Sequence, residues 1–236
     1  MRQGDMPYQT FIQLLDQHVE RHGTPTAVSL QGEGEPTLHK DFFRMAECVH
    51  GVGSVPYSIT NGTYKHQERF IGLFPKLGVS VDTLDDSVAA KIGRHNLPRV
   101  LSFIDALAPH LAIVIHSVHH PLYTPRVADW CRERGFHHLI QPLQRKPDYS
   151  HRYLPPEAVP AASGRFACPY LEQPRMRYYS LDGDEMPCCF IKDTSKFEGI
   201  DALLQHQAKG NWPACCVGCR VAGSSSPHPT PAASPL

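Results

Sequence analysis

The chain has 236 residues, enough for one large domain or for a medium domain with a small one beside it. Lys and Arg together number 23 and so do Asp and Glu, so the formal charge is zero and no general attraction to a phosphate backbone is expected; nucleic acid is excluded as an expected partner. The longest aliphatic run, Leu111–Ile115, is far below the roughly 20 residues that span a bilayer, and the opening Met-Arg-Gln-Gly-Asp-Met-Pro lacks the apolar stretch of a secretory signal, so a cytoplasmic protein without a membrane partner is expected.

In chain order, Tyr8, Phe11, Ile12, Leu15 and Val19 fall at helical steps and predict an amphipathic helix over 7–22, ending before Gly23. The segment 27–32 reads as a short strand, after which Leu38, Phe42, Met45, Val49 and Val52 restore the helical period. The alternation recurs with strands at 57–60, 78–81, 111–117 and 137–141 and helices at 97–107 and 125–133. Five strands separated by crossovers predict βαβ units, that is, an α/β protein with parallel strands in a barrel-like or open sheet. Functional groups in such folds collect in the loops at the carboxyl ends of the strands. Residues 147–165, with four prolines, break the pattern and read as a linker; 166–223 reads as a small second domain and the Pro/Ser-rich 224–236 as a disordered tail, leaving 1–146 as the first domain.

The strand-end loops are polar. After the first strand comes Gly32-Glu-Gly-Glu35, where two glycines let the backbone approach a ligand and Glu33 and Glu35 offer carboxylates to an ammonium group; a solvated turn before a helix accounts for the same residues. Thr60-Asn61-Gly62 follows the second strand and equally reads as a turn. Ser80 and Asp82 share one side of the third strand by its two-residue period, a hydroxyl and a carboxylate suited to a ribose. Fifteen histidines include His116, His119, His120, His137 and His138 near two strand ends; they read as polar or hydrogen-bonded residues, since no hydrolytic metal spacing accompanies them. A barrel hydrolase has no Ser–His–Asp signature here.

Eight cysteines are present, and six lie between Cys168 and Cys219. In a reducing compartment such a cluster indicates a metal site before a disulfide framework, whereas Cys48 and Cys131 stand alone on helical patterns.

The order Gly34-Glu35-Pro36, Thr60-Asn61-Gly62, Ser80-Val-Asp82 and a following Arg94 resembles the barrel of the radical S-adenosylmethionine enzymes from its second strand onward. The resemblance implies that Gly34 and Glu35, with Thr60 and Asn61 beside them, meet the methionyl amino group of S-adenosylmethionine. It likewise implies that Ser80, with Asp82, meets the ribose and Arg94 the methionyl carboxylate, and that Ile140 to Pro142 pass the adenine. Cys168, fourteen residues, Gly183, four residues and Cys188 resemble the opening of the SPASM and twitch auxiliary-cluster domains, and Cys215-Cys216-Val-Gly-Cys219 adds a C-x2-C pair. The implied ligands of one auxiliary [4Fe–4S] cluster are Cys168, Cys188, Cys216 and Cys219, with Cys189 and Cys215 as their adjacent alternatives. A structural zinc ion would accept the same thiols.

The resemblance spans residues 7–222 but lacks the C-x3-C-x2-C triplet that holds the family's catalytic cluster. The expectation is therefore an amino-terminally truncated maturase or dehydrogenase acting on a peptide or small molecule with a ferredoxin- or flavodoxin-like reductant, unable by itself to cleave the cofactor. A degenerate four-cysteine binding or assembly partner is the alternative. Loss of a preceding strand would leave an open edge beside residues 27–31, inviting aggregation or pairing with another chain.

Overall fold

The computed structural model describes residues 4–32, 34–94, 96–142, 164–172, 176–191, 194–219 and 221–223. The chain divides into two units: Met6–Gln141 is one, and the described residues from Pro142 onward belong to the other. All but the last two residues of the expected linker, and all of the expected tail, lie outside the described residues.

In the first unit, helix α1 (Tyr8–His22) buries Phe11 and Leu15 from its apolar stripe and ends at Gly23, whose φ of 80° is in the left-handed region that glycine enters without steric penalty. Strand β1 (Ala27–Ser29) follows. The helix expected from Leu38 onward instead begins at Phe42, as α2 (Phe42–Gly51). A separate 3-10 turn, Pro36–Leu38, precedes it, because Glu35 caps that turn by accepting from the Thr37 amide.

The second expected strand is divided into β2 (Val55–Tyr57) and β3 (Ile59–Thr60). The Tyr57 carbonyl accepts from Leu30 N at 2.8 Å while the Ser58 carbonyl accepts from Gly78 N at 2.9 Å. One extended segment thus serves β1 on one side and, on the other, β4 (Lys76–Ser80). The remaining elements are α3 (Asp86–Lys91), α4 (Leu97–Leu107), β5 (Ala112–Val118), α5 (Thr124–Arg134) and β6 (His137–Gln141). Every pairing among β1 to β6 is parallel, in the order β1–β2 and β3–β4–β5–β6.

Alternation sorts the side chains of β4 and β5 by face. Leu77 and Val79 with Ile113 and Ile115 enter the main core, where they join Val49 of α2 and Ile104 of α4. Phe70 and Phe74, between β3 and β4, complete that core. The opposite face carries Gly78, Ser80 and His116, the last two side by side in register.

In the second unit, helix α6 (Pro169–Glu172) is followed by an antiparallel hairpin of β7 (Tyr178–Tyr179) and β8 (Glu185–Met186), then by α7 (Ile200–Lys209). The hairpin closes through Ser180 N to Asp184 O at 2.9 Å and Gly183 N to Ser180 O at 3.1 Å. Gly183, at φ 91°, is the residue that lets this short loop close.

Among the described residues no helix is long and apolar enough to cross a membrane.

Candidate functional site

The carboxyl ends of the parallel strands bring together three of the expected residues. The Glu35 carboxylate accepts from Thr60 Oγ1 at 2.6 Å and from Asn61 N at 2.6 Å, as well as from Thr37 N at 3.2 Å and Thr37 Oγ1 at 2.7 Å. Three of these bonds end on Oε1 and one on Oε2, so Oε2 keeps a lone pair toward which an ammonium could donate. Thr60, only 1% exposed, and Asn61 thus act as holders of Glu35. Gly34 is exposed, and a Cβ added to it would meet nothing within 4 Å, so its neighbourhood is open to a ligand. Glu33 lies outside the described residues.

A second group forms where β4 and β5 end. Asp82 Oδ1 accepts from Val118 N at 2.7 Å and Oδ2 from Arg94 Nε at 2.7 Å. The Asp82 side chain is 3% exposed and that of Arg94 36%. A carboxylate so buried needs its partners, and removal of the guanidinium would cost it one charge-assisted hydrogen bond while Val118 N remains. Asp82 thus holds Arg94 and joins the ends of β4 and β5. Ser80 is half-buried and flanks His116. At the end of β6 Ile140 is 48% exposed, and the Gln141 carbonyl accepts from His119 N at 2.8 Å.

Sequence spacing did not reveal the pair that crosses the second face. Tyr57 Oη lies 2.8 Å from His116 Nε2, spanning 59 positions of sequence, and it does so over Gly78. A Cβ at Gly78 would come within 2.7 Å of Tyr57 Oη and 3.0 Å of His116 Cδ2. His116, which the sequence suggested was polar surface or simply hydrogen-bonded, is 8% exposed. Burial lowers its pKa to about 4, with His137 and His138 adding repulsion. The unfolded chain, titrating near 6.5, then binds a proton that the folded chain refuses. Stability is accordingly unaffected above about pH 6.5 and falls as the pH drops from there toward 4, by roughly 2–3 kcal/mol. Denaturation curves at pH 7 and 4.5 should show a larger loss in the natural chain than in His116→Gln.

In the second unit Cys168, Cys188, Cys215 and Cys216 share one apolar cluster with Phe166, Met186 and Leu203, and Cys219 packs against it. Cys168 precedes α6, and its sulfur accepts from the Tyr170 and Leu171 amides; the Cys188 sulfur accepts from that of Phe190. Cys216 and Cys219 are joined by a type II turn, with Cys219 N donating to Cys216 O at 3.0 Å, Val217 at φ −59° and ψ 129°, and Gly218 at φ 79°.

Burial first, then the neighbouring Cys189, Cys168 and Cys219, pushes the Cys188 thiol up to about 12. Burial also raises Cys168, despite its amide donors. Cys216 is raised by its bond to Cys215, with Sγ–Sγ 3.8 Å, and by burial. Without a cation these thiols keep their protons; a soft metal would displace them. Amide donors to sulfur and a buried, all-thiol donor set fit an iron–sulfur or zinc ion in kind. As the side chains stand, no group of three or more His, Cys, Asp or Glu among the described residues is disposed to hold a metal, so the cage is not preformed.

No protein-family model matches the chain, and no curated protein matches it. Solved structures do. SuiB of Streptococcus suis, solved bound to S-adenosylmethionine, is similar with a TM-score of 0.52 and 17% identity, over 60% of this chain and 35% of that one. A structure of TYW1 with a lysine-pyruvate adduct bound has a TM-score of 0.43 and 19% identity over 61% of this chain and 50% of its own. An archaeal TYW1 structure has a TM-score of 0.41 and 19% identity over 58% and 53%. The TYW1 likeness is too distant to define a fold. The likeness to SuiB shows a shared fold over the aligned residues, and the fold alone. The chain spans about a third of SuiB, with 35% of that protein covered.

Proposed function

We propose that Met6–Gln141 is an S-adenosylmethionine-binding portion of a radical enzyme, and that Cys168, Cys188, Cys216 and Cys219 hold an auxiliary [4Fe–4S] cluster in the following unit. The observation that carries this reading is the Glu35 carboxylate, fixed at the strand ends by Thr60 and Asn61 with one Oε2 lone pair unspent.

In this reading Glu35 receives the methionyl ammonium, Gly34 lets the cofactor approach the backbone, and Arg94 offers guanidinium N–H groups to the methionyl carboxylate. Asp82 holds Arg94 in place, and Ser80 stands nearest the ribose. S-adenosylmethionine supplies a 5′-deoxyadenosyl radical when a reduced cluster cleaves it. This sequence has no C-x3-C-x2-C triplet to hold such a cluster, so the chain on its own binds the cofactor without cleaving it. The substrate is a peptide or small molecule, and a ferredoxin- or flavodoxin-like protein serves the auxiliary cluster as redox partner.

The competing reading is a four-cysteine zinc protein acting as a binding or assembly partner, which the Cys216–Cys219 turn favours equally. Metal analysis of anaerobically purified and reconstituted chain separates the two. The expected result is about four irons per chain with a brown visible spectrum, reduced to near background when Cys188 and Cys216 are both replaced by serine. A colourless chain holding one zinc overturns the cluster. Calorimetric titration with S-adenosylmethionine tests the cofactor site separately, and absence of saturable binding overturns it.

A further inference from the structure

The Tyr57–His116 pair has no part in cofactor binding as proposed, yet it is built with care. Tyr57 comes from β2 and His116 from β5, and the strand between them, β4, offers Gly78 at the one place where any side chain would collide with both. His116 is 8% exposed and its Nδ1 is buried with no hydrogen-bond partner, although the ring's Nε2 is held at 2.8 Å.

Counting protons makes the orphan informative. A phenol and a neutral imidazole carry two polar hydrogens, and their mutual bond uses one. If Tyr57 donates to Nε2, the second hydrogen is on Nδ1, which is unpartnered. If Nε2–H donates to Tyr57, the second hydrogen remains on the half-buried hydroxyl. In both tautomers the pair keeps one unspent donor. The buried Nδ1–H of the first tautomer costs about 1–3 kcal/mol, which favours the second, where the spare donor is on the half-buried hydroxyl that an arriving acceptor can meet.

We infer that Tyr57 and His116 form a recognition site for a hydrogen-bond acceptor, a carbonyl or carboxylate oxygen of the substrate, on the face of the sheet that carries Gly78 and Ser80. Ser80, the register neighbour of His116, places this acceptor site beside the proposed ribose contact. Peptides and amino or keto acids carry such oxygens, whereas a substrate that presents only an ammonium group leaves the unspent donor unanswered. The inference rests on the proposed function only in taking this face as the substrate's side.

The test uses the full chain labelled with 15N-histidine and follows the His116 ring nitrogens by NMR at pH 7. The probes are sodium acetate, N-methylacetamide as a peptide-bond mimic, and methylammonium chloride at matched ionic strength. Saturable movement of the His116 signals with acetate or N-methylacetamide, and none with methylammonium, is expected. Tyr57→Phe, which removes only the hydroxyl, should weaken the response about tenfold while leaving the thermal midpoint close to the natural chain's. Ile71→Ala, at a side chain 41% exposed and outside this face, provides the folded control, in which the response must persist. Absence of a saturable shift, or an equal shift with methylammonium, overturns the inference. Because no cofactor is present in this titration, a chain that binds S-adenosylmethionine but ignores both acceptors would falsify the acceptor site and leave the cofactor reading intact.

Discussion

Phe70→Ala is expected to destabilise the first unit by about 3–5 kcal/mol, the largest loss of any single core truncation here. Phe70 is fully buried at 0% exposure and lies at the centre of an aromatic group. Its ring centroid is 5.1 Å from Phe43, 5.4 Å from Phe74 and 5.7 Å from Phe103, with Tyr64 and Phe42 at 6.0 and 6.2 Å. The edge-on contacts to Phe43 and Phe103 add attraction beyond area burial, and five rings cannot all collapse into the space that one vacates. Urea denaturation followed by far-ultraviolet circular dichroism measures the loss. Ile71→Ala is the control: its side chain is 41% exposed, and the loss should stay below about 1 kcal/mol. A loss at Phe70 no larger than at Ile71 would contradict the packing described.

Glu35→Ala should reduce affinity for S-adenosylmethionine by about thirtyfold or more, because it deletes a charge-assisted hydrogen bond to the methionyl ammonium. The same change leaves the Thr60 hydroxyl, in a residue only 1% exposed, without its acceptor and lowers stability by about 1–3 kcal/mol. Glu35→Gln separates the two effects. The amide oxygen can still accept from Thr60 and Thr37, so stability should recover in large part, but the lost negative charge keeps affinity low. Calorimetry and denaturation on the three proteins check this; equal affinity in all three would remove Glu35 from the binding site.

Periodicity located the strands and the long helices, because a parallel strand buried on both faces and an amphipathic helix each repeat a local rule many times. Residues 97–107 show it: Leu97, Val100, Phe103, Ile104 and Leu107 are all buried in α4. Short features escaped the same reading. The six residues of α3 depend on a single capping side chain, Asp85, which accepts from Ser87 N and Val88 N. The turn that presents Phe70 is four residues long, Gln67–Phe70, and shows no period at all. At the site, Glu35 and Thr60-Asn61 were legible as polar strand ends, but their direct hydrogen bonds were not, since these join positions 25 and 26 apart. The Tyr57–His116 contact was the least legible. Its local signal was only a glycine inside a strand, which marks a close approach without saying what approaches.

That glycine also bears on how the sequence can drift. Alanine at position 78 is a small change by any substitution table, yet on this backbone its methyl group would stand only 2.7 Å from the phenolic oxygen of Tyr57. Ile59 Cγ1 would lie 2.8 Å from the same methyl, so the side chains at 57 and 59 must both yield before the one at 78 can grow. Descendants of this chain that carry a larger residue at 78 should therefore also carry smaller side chains at 57 and 59, and the intermediate that keeps all three bulky will be selected against.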